Sequence, residues 1–369
     1  MGVNLPPPPD PIKDDGVRQR PLRQFHVALA DVGSNPCDIM VVGDSIAEGA
    51  LNTVATDRWI ERLLTKLRAK HQPAGVTGGI GYVPARVNIN GITSRFVNNG
   101  GALTSLVGLG QRSVILNSSG DTLTLTATGT TFRLFYYQDP ALGSFTWALD
   151  GGGTNTINAN GTNTIGKTVD ISTGSAASHT LVLTWVSGSC YIEGVMVLNG
   201  DESAGIRMWD ASSGGAITSS FEDTAYLSYA RNWLFDMARV NPDLMIVALG
   251  GNDASYQYSA DSRGRTPSQV AVNLKNIASL IRANASPDPS IVFVIGYDWP
   301  NFAAGWWAQY RDAIYAAALE DGNVGVIDMH QRFGAKGDLL SLGLVPDGTH
   351  LTALGSEFYA NAMAGYLEP

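Results

Sequence analysis

The chain has 369 residues, enough for two domains or for one domain with a large insertion, and either can bury a substantial core. Its formal net charge is -9 and only 15% of its residues are charged, so it carries no basic footprint for nucleic acid, and no apolar run approaches a membrane span. Gly, Ser, Thr and Asn are plentiful, a composition that gives an uncharged polar surface suited to carbohydrate.

Residues 1–35 contain four consecutive prolines, Pro6 to Pro9, followed by mixed charges, which reads as an extended arm or linker. Met1 leads into this polar stretch without a hydrophobic secretory core, so the chain is expected to be soluble, with any export by another route or by a signal already removed. Cys37 and Cys190 are the only cysteines and are read as free, buried thiols. No HExxH or paired-Cys pattern occurs, so no metal or other cofactor is expected.

Asp38 to Val42 form an apolar run that predicts a buried strand, and Asp57 to Lys70 predict a helix with Trp59, Ile60, Leu63, Leu64 and Leu67 on one face. From 105 to 200 the texture changes. Thr122 to Thr128 alternate, Thr131 to Tyr137 are β-branched and aromatic, and Thr180 to Val186 and Tyr191 to Leu198 look like strands separated by Gly and Asn turns. This predicts an all-β sandwich or jelly roll, placed as an insertion between 36–104 and 201–369.

After it come a strand at Ile206 to Asp210, a helix at Phe221 to Val240 and a strand at Leu244 to Leu249. A helix capped by Thr266 follows, with Pro267 at its first position and Val270, Leu274, Ile277 and Ile281 on one face. Strands at Ile291 to Ile295 and Val324 to Ile327 flank a helix at Trp306 to Leu319. Strands alternating with helices imply a parallel sheet covered on both faces, with ligands at the carboxyl ends of the strands.

Three short blocks fall at such ends: Gly43-Asp44-Ser45-Ile46, Gly250-Gly251-Asn252-Asp253 and Asp347-Gly348-Thr349-His350. A serine where a buried strand turns into a helix can expose its hydroxyl and aim its backbone N–H into the same cleft. Histidine is the usual base for such a hydroxyl, and an aspartate three residues earlier can reach its other ring nitrogen. Singly, a Ser after a strand is more often a cap, and an Asn in a Gly-rich loop a turn; the order of all three blocks carries the argument.

That order resembles the GDSL or SGNH hydrolase superfamily. The resemblance implies a flavodoxin-like three-layer α/β/α fold with Ser45 as nucleophile, His350 as general base, Asp347 as its orienting acid, and Asn252 and the Ser45 N–H as oxyanion donors. For the oxyanion glycine two loops compete. Ser213-Gly214-Gly215-Ala216 follows the Ile206 to Asp210 strand and makes Gly215 the choice, with Gly214 next and Gly79, in Gly78-Gly79-Ile80-Gly81-Tyr82, the alternative.

Together with the β-rich insertion these blocks resemble the polysaccharide and peptidoglycan O-acetylesterase branch, although Ile46 stands where several relatives have Leu or His. The expected substrate is an acetylated glycan, held in part by the insertion. Trp299, beyond the Ile291 to Ile295 strand, is expected to line the cleft against a sugar ring, with Trp306, Trp307 and Tyr310 read as core. His26, His71, His179 and His330 are expected to be structural or solvent-facing. The rival readings are a lipase or thioesterase, and a glycan-binding module without turnover, for instance on a phage particle.

Overall fold

The structure is a computed structural model and describes residues 20–87, 94–104, 107–222 and 240–369. In chain order the strands are β1 Pro36–Gly43, β2 Gly81–Pro84, β3 Phe96–Asn99, β4 Ala102–Thr104, β5 Ser113–Leu116, β6 Thr122–Gln138 and β7 Ser144–Leu149. They continue with β8 Asn155–Asn158, β9 Thr164–Ser187, β10 Cys190–Leu198, β11 Gly205–Asp210, β12 Leu244–Ala248, β13 Ser290–Ile295 and β14 Gly325–Asp328.

Among the described residues, five strands form a parallel sheet in the order β11–β1–β12–β13–β14. From Cys37 onward every residue of β1 is buried, the pattern of a strand covered on both faces. Its one charge, Asp38, lies at the amino end, where it pairs with Arg207 and accepts a hydrogen bond from Trp209 Nε1 at 2.8 Å. Helices complete a three-layer α/β/α unit. Trp59–His71 buries all five residues of its expected apolar face and packs against Ala353–Leu367, each large apolar side chain so removed from water contributing roughly 1.5–3 kcal/mol. Pro267–Asn284 begins with the capping box of Thr266 and Gln269 and packs against Trp306–Asp321.

The remaining nine described strands form an antiparallel sheet, ordered β4–β5–β10–β6–β9–β7–β8, with β2 added on β10 and β3 on β6. The two runs expected at Thr122 to Thr128 and Thr131 to Tyr137 are one strand, whose register shifts between Gly129 and Thr131. Before the shift β6 pairs with β3, and after it with β10. Residues on both sides of the shift share one core, with Leu123, Leu125, Phe132, Leu134, Phe145 and Leu183, in the all-β region read from the alternation.

Two boundaries differ from the sequence reading. The arm expected to run to residue 35 already contains a helix, Arg23–Ala30, whose Phe25 and Leu29 enter the core of the parallel unit. The antiparallel sheet begins at Gly81 rather than near 105, because β2 and β3, too short to signal strands alone, are stabilised by pairing with β10 and β6. Most of the helix expected at Phe221 to Val240 lies outside the described residues; Phe221 and Glu222 belong to the helix Thr218–Glu222.

The sheets are joined by Tyr82, Phe135 and Trp209, with ring centroids 5.4 to 5.9 Å apart. Cys37 and Cys190 are free and buried.

Candidate active site

Parallel pairing puts the carboxyl ends of three strands side by side: Val41 lies opposite Asp210 of β11, and Gly43 opposite Ala248 of β12. At Gly43 the chain must turn sharply into the helix Ser45–Glu48, and a Cβ there would come within 2.5 Å of the Ala47 Cβ, which leaves glycine as the residue that fits. Asp44 caps the turn, its carboxylate accepting from Ile46 N–H at 2.9 Å. Ser45 follows as the first helical residue, where the backbone N–H has no intrahelical acceptor.

The Ser45 hydroxyl lies 3.0 Å from His350 Nε2, and His350 Nδ1 lies 2.7 Å from Asp347 Oδ2. Because Nδ1 faces a carboxylate it carries the ring proton, leaving the Nε2 lone pair toward Ser45. The Asp347 turn is held locally by Thr349 N–H and His350 N–H on Asp347 Oδ1, at 2.9 and 2.7 Å. Burial would raise the Asp347 carboxyl, but these bonds and the imidazole outweigh it and hold it below its usual range. From outside, Tyr297 donates to Thr349 O at 2.5 Å and Asn52 to Leu351 O at 3.4 Å, tying the turn to β13 and to the chain beyond Ser45.

The loop after β11 lies beside the serine turn. Ser213 N–H donates to Gly43 O at 2.9 Å, and Asn252 Nδ2 donates to Ala216 O at 3.0 Å, using one of its two amide hydrogens. The candidate glycines are not equivalent. Gly214 N–H is taken by Glu48 Oε2 at 2.6 Å. Gly215 has φ +75° and, among the described residues, no acceptor for its N–H. Gly79 N–H is held by Asp201, and a Cβ there would lie 1.9 Å from Val197 O. The Arg68 side chain binds both Gly79 O and Ile206 O, which puts that loop at the amino end of the sheet, away from Ser45.

Electrostatically the site is acidic beneath and polar above. Burial pushes Asp44 up to about 6. Burial acts the same way on Asp210, but Arg112 and Arg58 overcome it and hold the carboxyl well below its ordinary range. Among the described residues no group of three or more His, Cys, Asp or Glu side chains could hold a metal, and no helix is long and apolar enough to cross a membrane.

Several site-building residues give no sequence signal of their own. Asp253, fully buried, accepts from Thr218 N–H and, at 2.6 Å, from its hydroxyl, so adjacent residues of one block hold the loop at 216 and at 218. Glu48 could have been noticed as a carboxylate inside an otherwise apolar turn. Trp299 is only 5% exposed, stacks on Phe302 with centroids 5.3 Å apart, lies against Gly251 and lines a cavity with Asp44 and Ile46. Trp307 and Tyr310 are buried, whereas Trp306 is half-buried and donates to Ala254 O at 3.1 Å. Of the remaining histidines, His26 contacts Leu367 O and His179 pairs with Asp150.

The chain forms a parallel-sheet α/β/α unit with serine, histidine and aspartate gathered at its strand ends. Residues 202–358 match the GDSL-like Lipase/Acylhydrolase family. The match begins after the insertion, so Ser45 joins it only through the pairing of β1. A peptidoglycan O-acetylesterase structure aligns with a TM-score of 0.68 at 20% identity, over 94% of this chain and 95% of that one. A family two carbohydrate esterase from Cellvibrio japonicus aligns with a TM-score of 0.32 at 11% identity, over 78% and 98%. One from Clostridium thermocellum aligns with a TM-score of 0.34 at 14% identity, over 73% and 96%. No curated protein sequence matches the chain.

Proposed function

We propose that this protein is a serine esterase that removes acetyl groups from a carbohydrate or cell-envelope polysaccharide through an acyl-enzyme on Ser45. The observation that carries the reading is the hydrogen-bonded series Ser45–His350–Asp347, at 3.0 and 2.7 Å, at the strand end next to Gly215 and Asn252. As Ser45 Oγ attacks the acetyl carbonyl, His350 Nε2 takes its proton and Asp347 stabilises the imidazolium. The oxygen that becomes negative is met by the N–H groups of Ser45 and Gly215 and the second Asn252 amide hydrogen. His350 then returns the proton to the sugar oxygen that leaves. In the second half, a water gives its proton to His350 and attacks the acyl-enzyme carbonyl, and His350 passes that proton to Ser45 Oγ as the bond to the acyl carbon breaks and acetate leaves.

Acetyl as the group removed is supported by the fold shared with a peptidoglycan O-acetylesterase; the cavity of about 20 Å³ lined by Asp44, Ile46, Gly251 and Trp299 has room for one water. The low-charge polar surface and the fold shared with a peptidoglycan O-acetylesterase support a glycan as carrier, with the antiparallel sheet helping to hold the polymer.

The test is a panel of acetyl and octanoyl esters and acetylated glycans, assayed with wild type and Ser45→Ala. Acetyl turnover that exceeds octanoyl, rises on oligosaccharide and disappears with Ser45→Ala is expected. Faster octanoyl hydrolysis without gain on glycans would replace the reading with a lipase or thioesterase, and glycan binding without any turnover would replace it with a binding module.

A further inference from the structure

The antiparallel sheet does more than sit beside the hydrolase unit. Arg112, between the turn Leu109–Gln111 and β5, is 1% exposed, and its guanidinium reaches across to the parallel unit. Nη2 lies 2.9 Å from Asp210 Oδ1 and donates to Asp210 O at 3.1 Å, and Nη1 lies 3.6 Å from Glu48 Oε1. Both carboxylates act on the loop that carries Gly215. Asp210 Oδ1 accepts from Ser212 N–H at 3.0 Å and from Ser212 Oγ at 2.5 Å, while Glu48 Oε2 takes the Gly214 N–H at 2.6 Å. Arg58 completes the cluster on Asp210 and on Ala47 O. The same turn presses directly on the loop, since a Cβ on Gly110 would lie 2.1 Å from Ser212 O.

Resting on the esterase reading above, we propose that Arg112, supplied by the inserted sheet, is a positioning residue that sets the Gly214–Gly215 amides against the Ser45 turn. Glu48 lies in the helix begun by Ser45, and Asp210 begins the loop that carries Gly215. One buried cation facing both carboxylates therefore couples nucleophile to oxyanion donor. Without it the two buried carboxylates would have only Arg58 to offset their repulsion, and the two segments would draw apart. Fork geometry matters as well as charge, because a planar guanidinium addresses Glu48 and Asp210 at once while an ammonium is a point charge. On this view the insertion completes the site as well as holding substrate.

The experiment compares full-length wild type, Arg112→Met, Arg112→Lys, Glu48→Gln and Ser45→Ala on a small acetyl ester, with rates normalised by active-site titration, and measures inhibition by phenylboronic acid. In the boronate adduct the Ser45 oxygen bonds to boron, its proton passes to His350, and a boron oxygen occupies the oxyanion position. Arg112→Met is expected to lower kcat by about 100-fold, as for loss of one oxyanion donor, with KM within about threefold. Boronate affinity should fall in parallel, and Arg112→Lys should recover about tenfold of the loss.

If Arg112→Met does not fold, Arg112→Lys and Glu48→Gln carry the same test, each with a loss of about tenfold in both kcat and boronate affinity. A fall in melting temperature with kcat per active site and boronate affinity unchanged makes Arg112 purely structural and overturns the inference. Retention of turnover by Ser45→Ala overturns the esterase reading itself, and the inference with it.

Discussion

Two Ser–His–Asp groupings occur among the described residues. In one, Ser45 Oγ is 3.0 Å from His350 Nε2 and Asp347 is 2.7 Å from Nδ1; in the other, Ser175 Oγ is 3.3 Å from His179 Nε2 and Asp150 is 2.7 Å from Nδ1. The difference lies in what else each imidazole meets. His179 Nε2 is also 3.1 Å from the Ser175 carbonyl, an acceptor only, so both ring nitrogens of His179 face groups that demand a proton. Both contacts favour the protonated ring, and its pKa is raised above the ordinary value, first by the Asp150 hydrogen bond. A protonated ring has no lone pair with which to take a proton from Ser175. His350 presents its lone pair to Ser45, at a strand end where a loop offers backbone N–H groups. Three residue types at hydrogen-bonding distance thus make a staple between β9 and the turn after β7 in one place and, in the mechanism proposed above, the means to activate a hydroxyl in the other.

The largest effect that can break this contrast comes from the two serines. Ser45→Ala should lower kcat/KM on an acetyl ester by about 10,000-fold or more, whereas Ser175→Ala should leave it within about twofold. Equal losses would dissolve the distinction. Next, Asn252→Ala should lower kcat by roughly 100- to 1,000-fold with little change in KM, because its free amide hydrogen matters when the carbonyl oxygen becomes negative. A change confined to KM would make Asn252 a substrate contact.

The smallest effect sharpens the other side of the comparison. His179 is raised above its ordinary 6.5, so its contribution to stability is complete below that value and lost as pH rises through the folded pKa; Asp150 is lowered from 3.8, so its contribution is present above that value and lost as pH falls through the folded one. Thermal melts of His179→Gln should fall below wild type at about pH 5.5 and converge with it at about pH 8.5, with kcat within about twofold at both. A gap that widens with pH contradicts a charged His179.

Much of this organisation was legible locally. A strand without a polar face, an apolar stripe from Trp59 to Leu67, and Thr266 with Pro267 before a helix are signals whose physics lies within a few residues, and each element forms near its expected place. The turn Asp347 to His350 is local in the same way, because Asp347 satisfies the amides of Thr349 and His350 in its own loop. By contrast β2 and β3, and the helix Arg23–Ala30, draw their stability from distant partners, so their residues carried little warning.

The site divides along the same line. Sequence alone determined which residue types stand at the strand ends and in what order, since block order and alternating periodicity are properties of the chain. Tertiary structure decided that the N–H groups of Gly214 and Gly79 are taken, because their acceptors, Glu48 and Asp201, are 166 and 122 residues away in the chain. It also stacked Trp299 on Phe302 at the wall of a cavity, and brought Arg112 from the inserted sheet to Glu48 and Asp210. A hydrogen bond or an ion pair acts over a few ångströms of space, whatever the separation along the chain, and only the folded arrangement says which donors are already spent.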